Sequence, residues 1–393
     1  MECLRFNVCV RGGPRAYRCP NSGQGVLVDK SLSLFSHDGQ AEVDCEGRGR
    51  AFLFRGSGSV TVTGLMMRNL AERGGASLAK CAEVTVANCS FINNAANTTG
   101  GGALCFHNSA KIDIANSVLE RNSVSANSAQ AKGGGAILVL AADASPVVYA
   151  FSGNHFTENM ALSPGAIALE TATVVDSSVL VTNNRFEANQ GGAISLSVSL
   201  TQYSTLAFTA NVMTNSGGAV AISRNPLIHP GVGVVSITVI IVGIQVRGNI
   251  KRADGPGVAL ALDSTVDYRL VVENNTFDST VGQGLLGGSG LLVQSFSAVS
   301  TSSVLIRGQQ LSQQLGDQRF DCTITLEDSV MIGSFLPYRR TWRPSSPSRR
   351  STCCPVASTT SGSVASGGAT KRAFALPFER VRTLPDERKR LFC

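Results

Sequence analysis

The sequence predicts an all-β protein, and within that class a β-solenoid in which short parallel strands stack coil upon coil. Three observations predict it: a pattern that recurs every 24 to 37 residues, apolar residues that alternate with polar ones, and Gly or Asn at fixed turn positions. One unit of this size cannot bury its apolar side alone, whereas stacked units can. The pattern runs from about residue 60 to residue 315, so we expect a parallel β-helix there.

A large apolar residue after each turn serves as the register mark of the repeat. The marks are Phe91, Leu119, Phe156, Phe186, Val246, Phe277 and Leu311, together with Met67 (or Met66) and Met213 (or Val212). Before each mark the apolar residues alternate with polar or small ones, as Val84 and Val86 do. This period of two is typical of a half-buried strand. We therefore expect the marks to form an apolar column inside the solenoid.

Turn residues stand at fixed distances on both sides of the mark. The residue three positions before the mark is Gly or Asn, which accept a positive φ at low cost, in every coil except the one with Ala210. These residues are Gly64, Asn88, Asn116, Gly153, Asn183, Gly243, Asn274 and Gly308. An asparagine stands three positions after the mark at Asn94, Asn122, Asn159, Asn189 and Asn249. In two further coils the asparagine is displaced by one residue, at Asn69 and Asn215. We expect these asparagines to stack into a ladder of side-chain amides. The alternative, that they contact a ligand, stays open at this point.

Pairs of glycines begin the strand that follows each asparagine. They are Gly101 and Gly102, Gly134 and Gly135, Gly191 and Gly192, and Gly217 and Gly218. Glycine lets neighbouring coils approach where a Cβ atom would clash. The number of residues between the asparagine and the glycine pair varies from coil to coil, which predicts loops of variable length on one face, often the recognition face.

The alternation of Gly-Gly-Ala-Ile with Phe-x-x-Asn resembles the polymorphic outer membrane protein repeat. The matching segments are Phe91–Asn94, Phe156–Asn159, Phe186–Asn189 and the Gly-Gly-Ala-Ile sequences at 134–137 and 191–194. The resemblance covers about residues 60–315. It implies a right-handed parallel β-helix of the pectin-lyase-like superfamily, exposed at a cell surface and often adhesive.

The predicted β-helix spans residues 26–335, with about nine to eleven coils and an N-terminal cap at about 26–58. Residues 1–25 form an irregular segment in this prediction. Residues 336–393 read as a low-complexity basic tail that is disordered, because the stretch is rich in Pro, Arg, Ser and Thr. Residues 337–393 hold 12 of the 34 basic and 3 of the 27 acidic residues, so the net charge of +7 belongs to the tail.

The expected location is a cell surface or the secreted fraction. The start, Met1-Glu-Cys-Leu-Arg, lacks the features of a signal peptide, and we expect the true N-terminus to lie upstream. Asn97 begins a sequon in a loop and is the expected glycosylation site. The apolar run from Val234 to Val246 is shorter than the ~20 residues that span a bilayer, so we expect a buried strand pair and no transmembrane segment.

The eleven cysteines show no zinc-ligand spacing. Cys81 and Cys105 stand 24 residues apart, about one coil, so the sequence allows either a disulfide between coils or simple packing. Cys89 is expected to pack as a small apolar residue. The four histidines also lack metal-ligand spacing, and His107 and His155 are expected in exposed turns.

These observations leave three functional hypotheses. The first is a non-enzymatic surface or secreted protein that binds a glycan or a cell-surface protein through its loops or faces. The second is a carbohydrate-active enzyme of the pectate lyase, polygalacturonase or epimerase type, although the sequence has no Asp-Asp, Asn-x-Asp or Arg-x-Lys motif. The third is a spacer fragment of a larger surface protein. We assign no catalytic, metal-binding or cofactor-binding residues, and we expect no nucleic-acid partner.

Overall fold

The computed structural model describes the chain in segments, and every regular element in them is a β-strand. The described residues are 17–18, 25–36, 41–56, 58–71, 76–97, 101–125, 134–141, 146–161, 165–224, 234–247, 250–251, 258–262, 265–278, 281–282, 291–295, 298–299, 303–307, 310–314, 319–320, 325–327 and 330–333. The predicted basic tail, Asn249, Gly308 and most of residues 1–25 lie outside these ranges.

The long sheets are one of 12 strands and one of 22 strands, and the larger one consists of two stacks of parallel strands that the strand Ile194–Thr209 joins. We call these two stacks sheet one and sheet two, and the 12-stranded sheet is sheet three. Sheet one includes the strands that follow the glycine pairs. It contains Val26–Val28, Phe52–Arg55, Ala76–Ala79, Leu104–His107, Ile137–Ala141, Ile167–Val175, the first part of Ile194–Thr209, Val220–Arg224, Val258–Leu262, Leu291–Ser295 and Arg319–Phe320.

Sheet two holds the strands with alternating apolar residues. They are Leu32–Phe35, Ser59–Thr63, Glu83–Ala87, Lys111–Ala115, Val148–Ser152, Ser178–Thr182, the last part of Ile194–Thr209, Val234–Val242, Thr265–Glu273, Ala298–Val299, Ser303–Arg307 and Thr325–Glu327. The strand Ile194–Thr209 runs without a break from sheet one into sheet two.

Sheet three carries the register marks. Its strands are Tyr17–Arg18, Ala41–Asp44, Leu65–Arg68, Ser90–Ile92, Val118–Glu120, His155–Thr157, Arg185–Glu187, Val212–Thr214, Gln245–Arg247, Thr276–Asp278, Gln310–Gln314 and Val330–Gly333. Two short pairs follow it, Ala95–Ala96 with Ser123–Val124 and Ile250–Lys251 with Val281–Gly282. Tyr17–Arg18 falls in the segment that the sequence suggested was irregular.

Parallel strands that stack coil on coil confirm the predicted all-β solenoid. Six turns lie between residues 50 and 224, one for each strand of sheet three from Leu65–Arg68 to Val212–Thr214. The predicted total of nine to eleven coils stays a prediction. The run from Val234 to Val246 forms a strand of sheet two and a strand of sheet three, with Val239, Ile241, Ile244 and Val246 buried.

The register marks stack in one column inside the solenoid. Phe91 pairs with Met67 on one side and with Leu119 on the other, and the column continues through Phe156, Phe186, Met213 and Val246. The aligned residues are Met67 and Met213 rather than their neighbours. The Phe156 and Phe186 rings stack with their centroids 4.8 Å apart and their planes 5° apart. Apolar side chains of all three sheets pack around this column.

The turn before sheet three has the left-handed conformation that the Gly and Asn pattern predicted. Its residues have φ between 49° and 69° at Gly64, Asn88, Asn116, Gly153, Asn183, Gly243 and Asn274. Ala210, the exception in the sequence, has φ of 52° all the same. The stacked coils therefore impose the turn even where the residue does not favour it.

Candidate functional site

The asparagines three positions after the mark form a buried ladder of amides. The Asn159 Oδ1 atom accepts hydrogen bonds from the backbone N–H and the side-chain Nδ2 of Asn122, both at 3.0 Å. The Asn159 Nδ2 atom donates to the Leu119 carbonyl at 2.8 Å and to Asn189 Oδ1 at 3.0 Å. Asn94 continues the ladder toward the N-terminus. All four amides are buried, so their hydrogen bonds are directed at the protein and not at a ligand.

The predicted one-residue slips at Asn69 and Asn215 are wrong. Both residues have a positive φ and occupy the turn one position before the ladder. The ladder position in those coils is held by Leu70, whose backbone N–H donates to Asn94 Oδ1, and by Ser216, whose hydroxyl accepts from the Asn189 backbone. The amide ladder therefore ends in an apolar residue at one end and a serine at the other.

A second ladder, two positions before the mark, was missed by the sequence analysis. The backbone N–H of Ser117 donates to Asn154 Oδ1, that of Asn154 to Asn184 Oδ1, and that of Asn184 to Asn211 Oδ1, at 2.9 to 3.0 Å. All these residues are buried. The sequence signal was an Asn at the same position in successive coils, but the adjacent turn asparagine, such as Asn183, obscured it.

The glycine pairs lie where two coils approach most closely. A Cβ atom on Gly102 would stand 2.3 Å from the Gly135 carbonyl oxygen, and one on Gly135 would stand 2.2 Å from that of Gly165. Gly101, Gly134 and Gly191, each the first glycine of its pair, have φ between 87° and 97°. Gly191 and Gly192 form the corresponding turn two coils after Gly134, and Gly217 and Gly218 form it in the next coil, where the Gly218 carbonyl accepts from the Ala193 backbone N–H.

The cysteines of this region are structural. Cys81, Cys89 and Cys105 are buried and form no disulfide, so the disulfide between Cys81 and Cys105 that the sequence allowed is wrong. Cys105 lies in sheet one opposite Ser77 and Leu138, at a different point of the coil from Cys81. Burial raises the pKa of the Cys81 thiol to about 11 and that of Cys105 to about 12, which keeps both protonated near neutral pH.

The outer surface of sheet two is flat, uncharged and partly aliphatic over four coils. Because Tyr149, Phe151, Val179 and Val181 point into the core, the alternate residues point outward. We call this surface the flat face, and its side chains are those of Val148, Ala150, Ser152, Ser178, Leu180, Thr182, Thr205, Ala207, Thr209, Ile240 and Val242.

The flat face is ordered in columns because the strands are in register. Ala150, Leu180, Ala207 and Ile240 form the central column, and Ser152, Thr182, Thr209 and Val242 form a flanking column. Val148 is 43 % exposed and Leu180 is 36 % exposed, whereas Ala207 is buried between its neighbours. The coil before these four is charged on the same surface of sheet two. Its strand Lys111–Ala115 carries Lys111, which forms an ion pair with Glu83, and Asp113.

The outer surface of sheet three carries a small charged cluster instead. His155 Nε2 lies 2.8 Å from the Thr157 hydroxyl and 3.7 Å from Glu187 Oε2, while Arg185 bonds the same carboxylate oxygen at 2.9 Å. His155 lies in the strand His155–Thr157 and not in the predicted turn. His107 likewise ends the strand Leu104–His107.

The geometry of this cluster differs from that of a catalytic triad, because Thr157 and Glu187 approach the same ring nitrogen of His155. In a triad the carboxylate bonds the other nitrogen. Across the described segments, no group of three or more His, Cys, Asp and Glu side chains could hold a metal ion. The same segments contain no helix long and apolar enough to span a membrane.

Comparison with known proteins adds one finding. Residues 50–229 match the family model described as the right handed beta helix region. The chain contains a right-handed β-helix. The matched part of the β-helix includes both asparagine ladders and most of the flat face. None of the curated proteins and none of the solved structures compared with the chain matches it.

Asn97 is exposed directly after the short strand Ala95–Ala96. The rest of its sequon, Thr98 and Thr99, lies outside the described residues. Its glycosylation stays a prediction.

Proposed function

We propose that this β-helix is a non-enzymatic surface or secreted protein that binds a neutral glycan through the flat face. The observation that carries the proposal is the composition of that face, in which a central aliphatic column runs beside hydroxyl-bearing columns with no charged side chain among them. Contiguous exposed apolar surface with a polar rim marks interaction sites more often than scattered apolar residues do.

The chemistry of the flat face complements that of a sugar chain. A pyranose ring presents C–H groups on its faces and hydroxyls on its edges. Leu180 and Val148 offer exposed apolar surface to the C–H groups, and Thr182 and Thr209 offer hydroxyls that both donate and accept. The absence of charge among the flat-face side chains removes the electrostatic attraction that would favour a polyanion.

The rigidity of the flat face favours binding. The backbone fixes neighbouring columns ~6.7 Å apart and neighbouring coils ~4.8 Å apart. Thr, Val and Ile side chains have restricted χ1 angles. A surface ordered in this way loses little conformational entropy when a ligand binds.

The surface location rests on the resemblance of the repeats to the polymorphic outer membrane protein family and on the expected glycosylation of Asn97. Both are part of this proposal. A spacer role would use the same rod, but it gives no reason for the exposed side chains of Val148 and Leu180.

The second candidate function is a carbohydrate-active enzyme, and one observation favours it. Sheet three places Glu120, Thr157 and Glu187 in one column, with His155 and Arg185 beside them. The side chains of His155, Arg185 and Glu187 are at least a third exposed, and Arg185 is already paired with Glu187. Solvent screens such charges, so this cluster has little of the electrostatic preorganisation that catalysis requires.

A glycan array with the full chain tests the proposal. We expect binding to neutral polysaccharides and none to polyuronates. Leu180→Glu places a charge in the central column and should weaken the interaction at least tenfold. Leu27→Glu is the matched control, because Leu27 is 60 % exposed on sheet one, and it should change the affinity less than twofold.

Two results would contradict this function. Equal loss of affinity in Leu180→Glu and Leu27→Glu would remove the flat face as the binding surface, and binding to proteins alone would replace the glycan with a protein partner. Cleavage of a polysaccharide that Glu187→Gln abolishes would favour the enzyme. The array and a reducing-end assay on the same samples separate these outcomes.

A further inference from the structure

The turns that join sheet two to sheet three stack in a row along the β-helix. Four of these turns have an asparagine with φ between 49° and 55° and an exposed side chain, and they are Asn88, Asn116, Asn183 and Asn274. The backbone holds the turn conformation, because the N–H of each of the first three donates to a carbonyl of the next coil. Within the described segments, no hydrogen bond involves the side-chain amides of Asn88 and Asn274. Both amides are therefore available for modification.

Asn88 and Asn274 each begin the triplet Asn-x-Ser/Thr, the acceptor motif for N-linked glycans. The sequence has one further triplet of this kind, at Asn97, and all three asparagines are exposed. The buried asparagines of the two ladders begin no such triplet, and they are Asn94, Asn122, Asn154, Asn159, Asn184, Asn189 and Asn211. The fold therefore places every acceptor asparagine of the chain at the surface.

The first triplet spans a turn and the start of a strand of sheet three. Ser90 begins that strand and is followed by the buried Phe91, so the Ser90 hydroxyl lies on the outer surface. Cys89, the middle residue of the triplet, is buried. The Asn88 amide and the Ser90 hydroxyl thus face solvent on either side of a buried residue, and a glycan on Asn88 displaces no packed side chain.

The second triplet repeats this arrangement six coils later. Thr276 takes the position of the serine at the start of its strand. The middle residue, Asn275, is buried, and its amide donates to the Ile241 carbonyl at 3.0 Å and accepts from the Ile244 backbone N–H at 2.8 Å. Asn275 is therefore committed to the interior, and Asn274 is the asparagine of this pair that presents its amide to solvent.

We propose that Asn88 and Asn274 are N-glycosylation sites in addition to Asn97. In this reaction the Asn Nδ2 atom bonds to the anomeric carbon of a saccharide carried on a lipid diphosphate. The bond between that carbon and the diphosphate breaks, and the proton that Nδ2 loses goes to the released diphosphate. The inference rests on the surface or secreted location in the proposed function, because this modification belongs to secreted proteins.

The two sites lie beyond the two ends of the flat face. Asn88 precedes the face by two coils and Asn274 follows it by one. The four coils of the flat face have turn residues that begin no acceptor triplet, and these are Gly153, Asn183, Ala210 and Gly243. Glycans at both sites therefore leave the flat face open to its ligand.

Mass spectrometry of the full chain, secreted from a eukaryotic cell behind a cleavable signal peptide, tests the two sites. Peptide N-glycosidase in heavy-oxygen water converts a glycosylated asparagine into labelled aspartate. Trypsin releases Asn88 in peptide 81–111 and Asn274 in peptide 270–307, and fragmentation locates the label within each peptide. We expect label at both positions in most copies of the chain. An unlabelled Asn88 or Asn274 in the secreted chain would overturn the proposal at that site.

Variants of the third triplet residue test whether the motif directs the modification. Ser90→Ala and Thr276→Ala keep the turn asparagine, and each should abolish the label at its own site alone. Ser90→Thr keeps the hydroxyl and should retain the label at Asn88, so it decides the question if Ser90→Ala is not secreted. Label at Asn88 in Ser90→Ala, or its loss in Ser90→Thr, would contradict the proposal.

A matched gain of a site tests the role of the turn. Asn183 and Asn184 repeat the exposed and buried asparagines of the second triplet, but Arg185 follows them. Arg185→Thr completes the motif and should add a glycan at Asn183, whereas an unlabelled Asn183 in this variant would overturn the argument from turn geometry. Site occupancy is measured without a ligand, so its failure and a failure of the glycan array are separate results.

Discussion

Replacing Asn159 by alanine tests how far the amide ladder stabilises the β-helix. Asn159 is buried at the centre of the ladder and makes four side-chain hydrogen bonds. The substitution removes the acceptor of the Asn122 backbone N–H and of one Asn122 side-chain N–H. It also removes a donor to the Leu119 carbonyl. Asn189 Oδ1 keeps the bond from the Asn159 backbone.

The magnitude follows from the number of groups that lose a partner. A buried donor or acceptor left unpaired costs about 1–3 kcal/mol, and three groups are affected here. Water that enters the space left by the side chain satisfies some of them. We therefore expect the free energy of unfolding of the Asn159→Ala variant to fall by at least about 3 kcal/mol, which is the lower end of the range for three groups.

Urea unfolding followed by circular dichroism measures this loss. The control is Glu158→Ala, one residue earlier in the same turn, because Glu158 is exposed and the next coil has Ala188 at the same position. We expect a change below about 0.5 kcal/mol for this surface substitution. Equal losses of stability in the two variants would refute the reasoning, because they would show that the buried ladder residue contributes no more than the exposed turn residue.

Three further predictions follow from the interior of the β-helix. Gly135→Ala should destabilise the protein by about 3 kcal/mol in urea unfolding, because its Cβ would meet backbone atoms of Gly165 and Met160. Gly47→Ala, which has open space around it and only a positive φ to accommodate, should cost about 1 kcal/mol. Phe186→Ala should cost about 3–5 kcal/mol, because it leaves a cavity in the central column beside Phe156. The exposed Leu180→Ala should cost less than about 1 kcal/mol, and an equal loss in both would contradict the buried column. Cys81 and Cys105 should resist iodoacetamide at pH 8 in the native protein, because burial raises their thiol pKa values to about 11 and about 12, and should react once the chain is unfolded in guanidinium. Rapid labelling of either thiol in the folded protein, read by mass spectrometry, would show that it is not enclosed.

The sequence predicted the solenoid because each coil repeats the same short-range requirements. A left-handed turn selects Gly or Asn, an inward position selects a large apolar residue, and a close approach of coils selects glycine. These requirements are local, so they can be read one coil at a time. Ala210 shows that a turn can also form against the local preference, since neighbouring coils hold this residue in the left-handed conformation.

The ladder was harder to place than the turn because asparagine suits both. Asn69 and Asn215 looked like ladder residues displaced by one position, but they are turn residues, and Leu70 and Ser216 hold the ladder positions. The second ladder was missed for the same reason, because Asn184 directly follows the turn residue Asn183. Only the hydrogen-bond partners between coils separate the two uses of asparagine.

The flat face could not be derived from the sequence because it depends on register between distant segments. Leu180 and Ala207 are neighbours through pairing between coils, and so are Ala207 and Ile240. The coils differ in length by several residues, so outward positions align only after the pairing is known. The charged cluster on sheet three has the same origin, since His155 and Glu187 belong to different coils.

Engineered cross-linking between neighbouring coils tests the parallel in-register stack most directly. Thr182 and Thr209 lie opposite each other on the outer surface of sheet two, so cysteines at both positions should stand ~4.8 Å apart between Cα atoms and form a disulfide under mild oxidation. Cysteines at Thr182 and Ala207 would be displaced by two residues, about 8 Å apart, and should not form one. Cross-linking of the first pair alone is the result that the β-helix predicts. Preferential cross-linking of the second pair, or of neither, would contradict it.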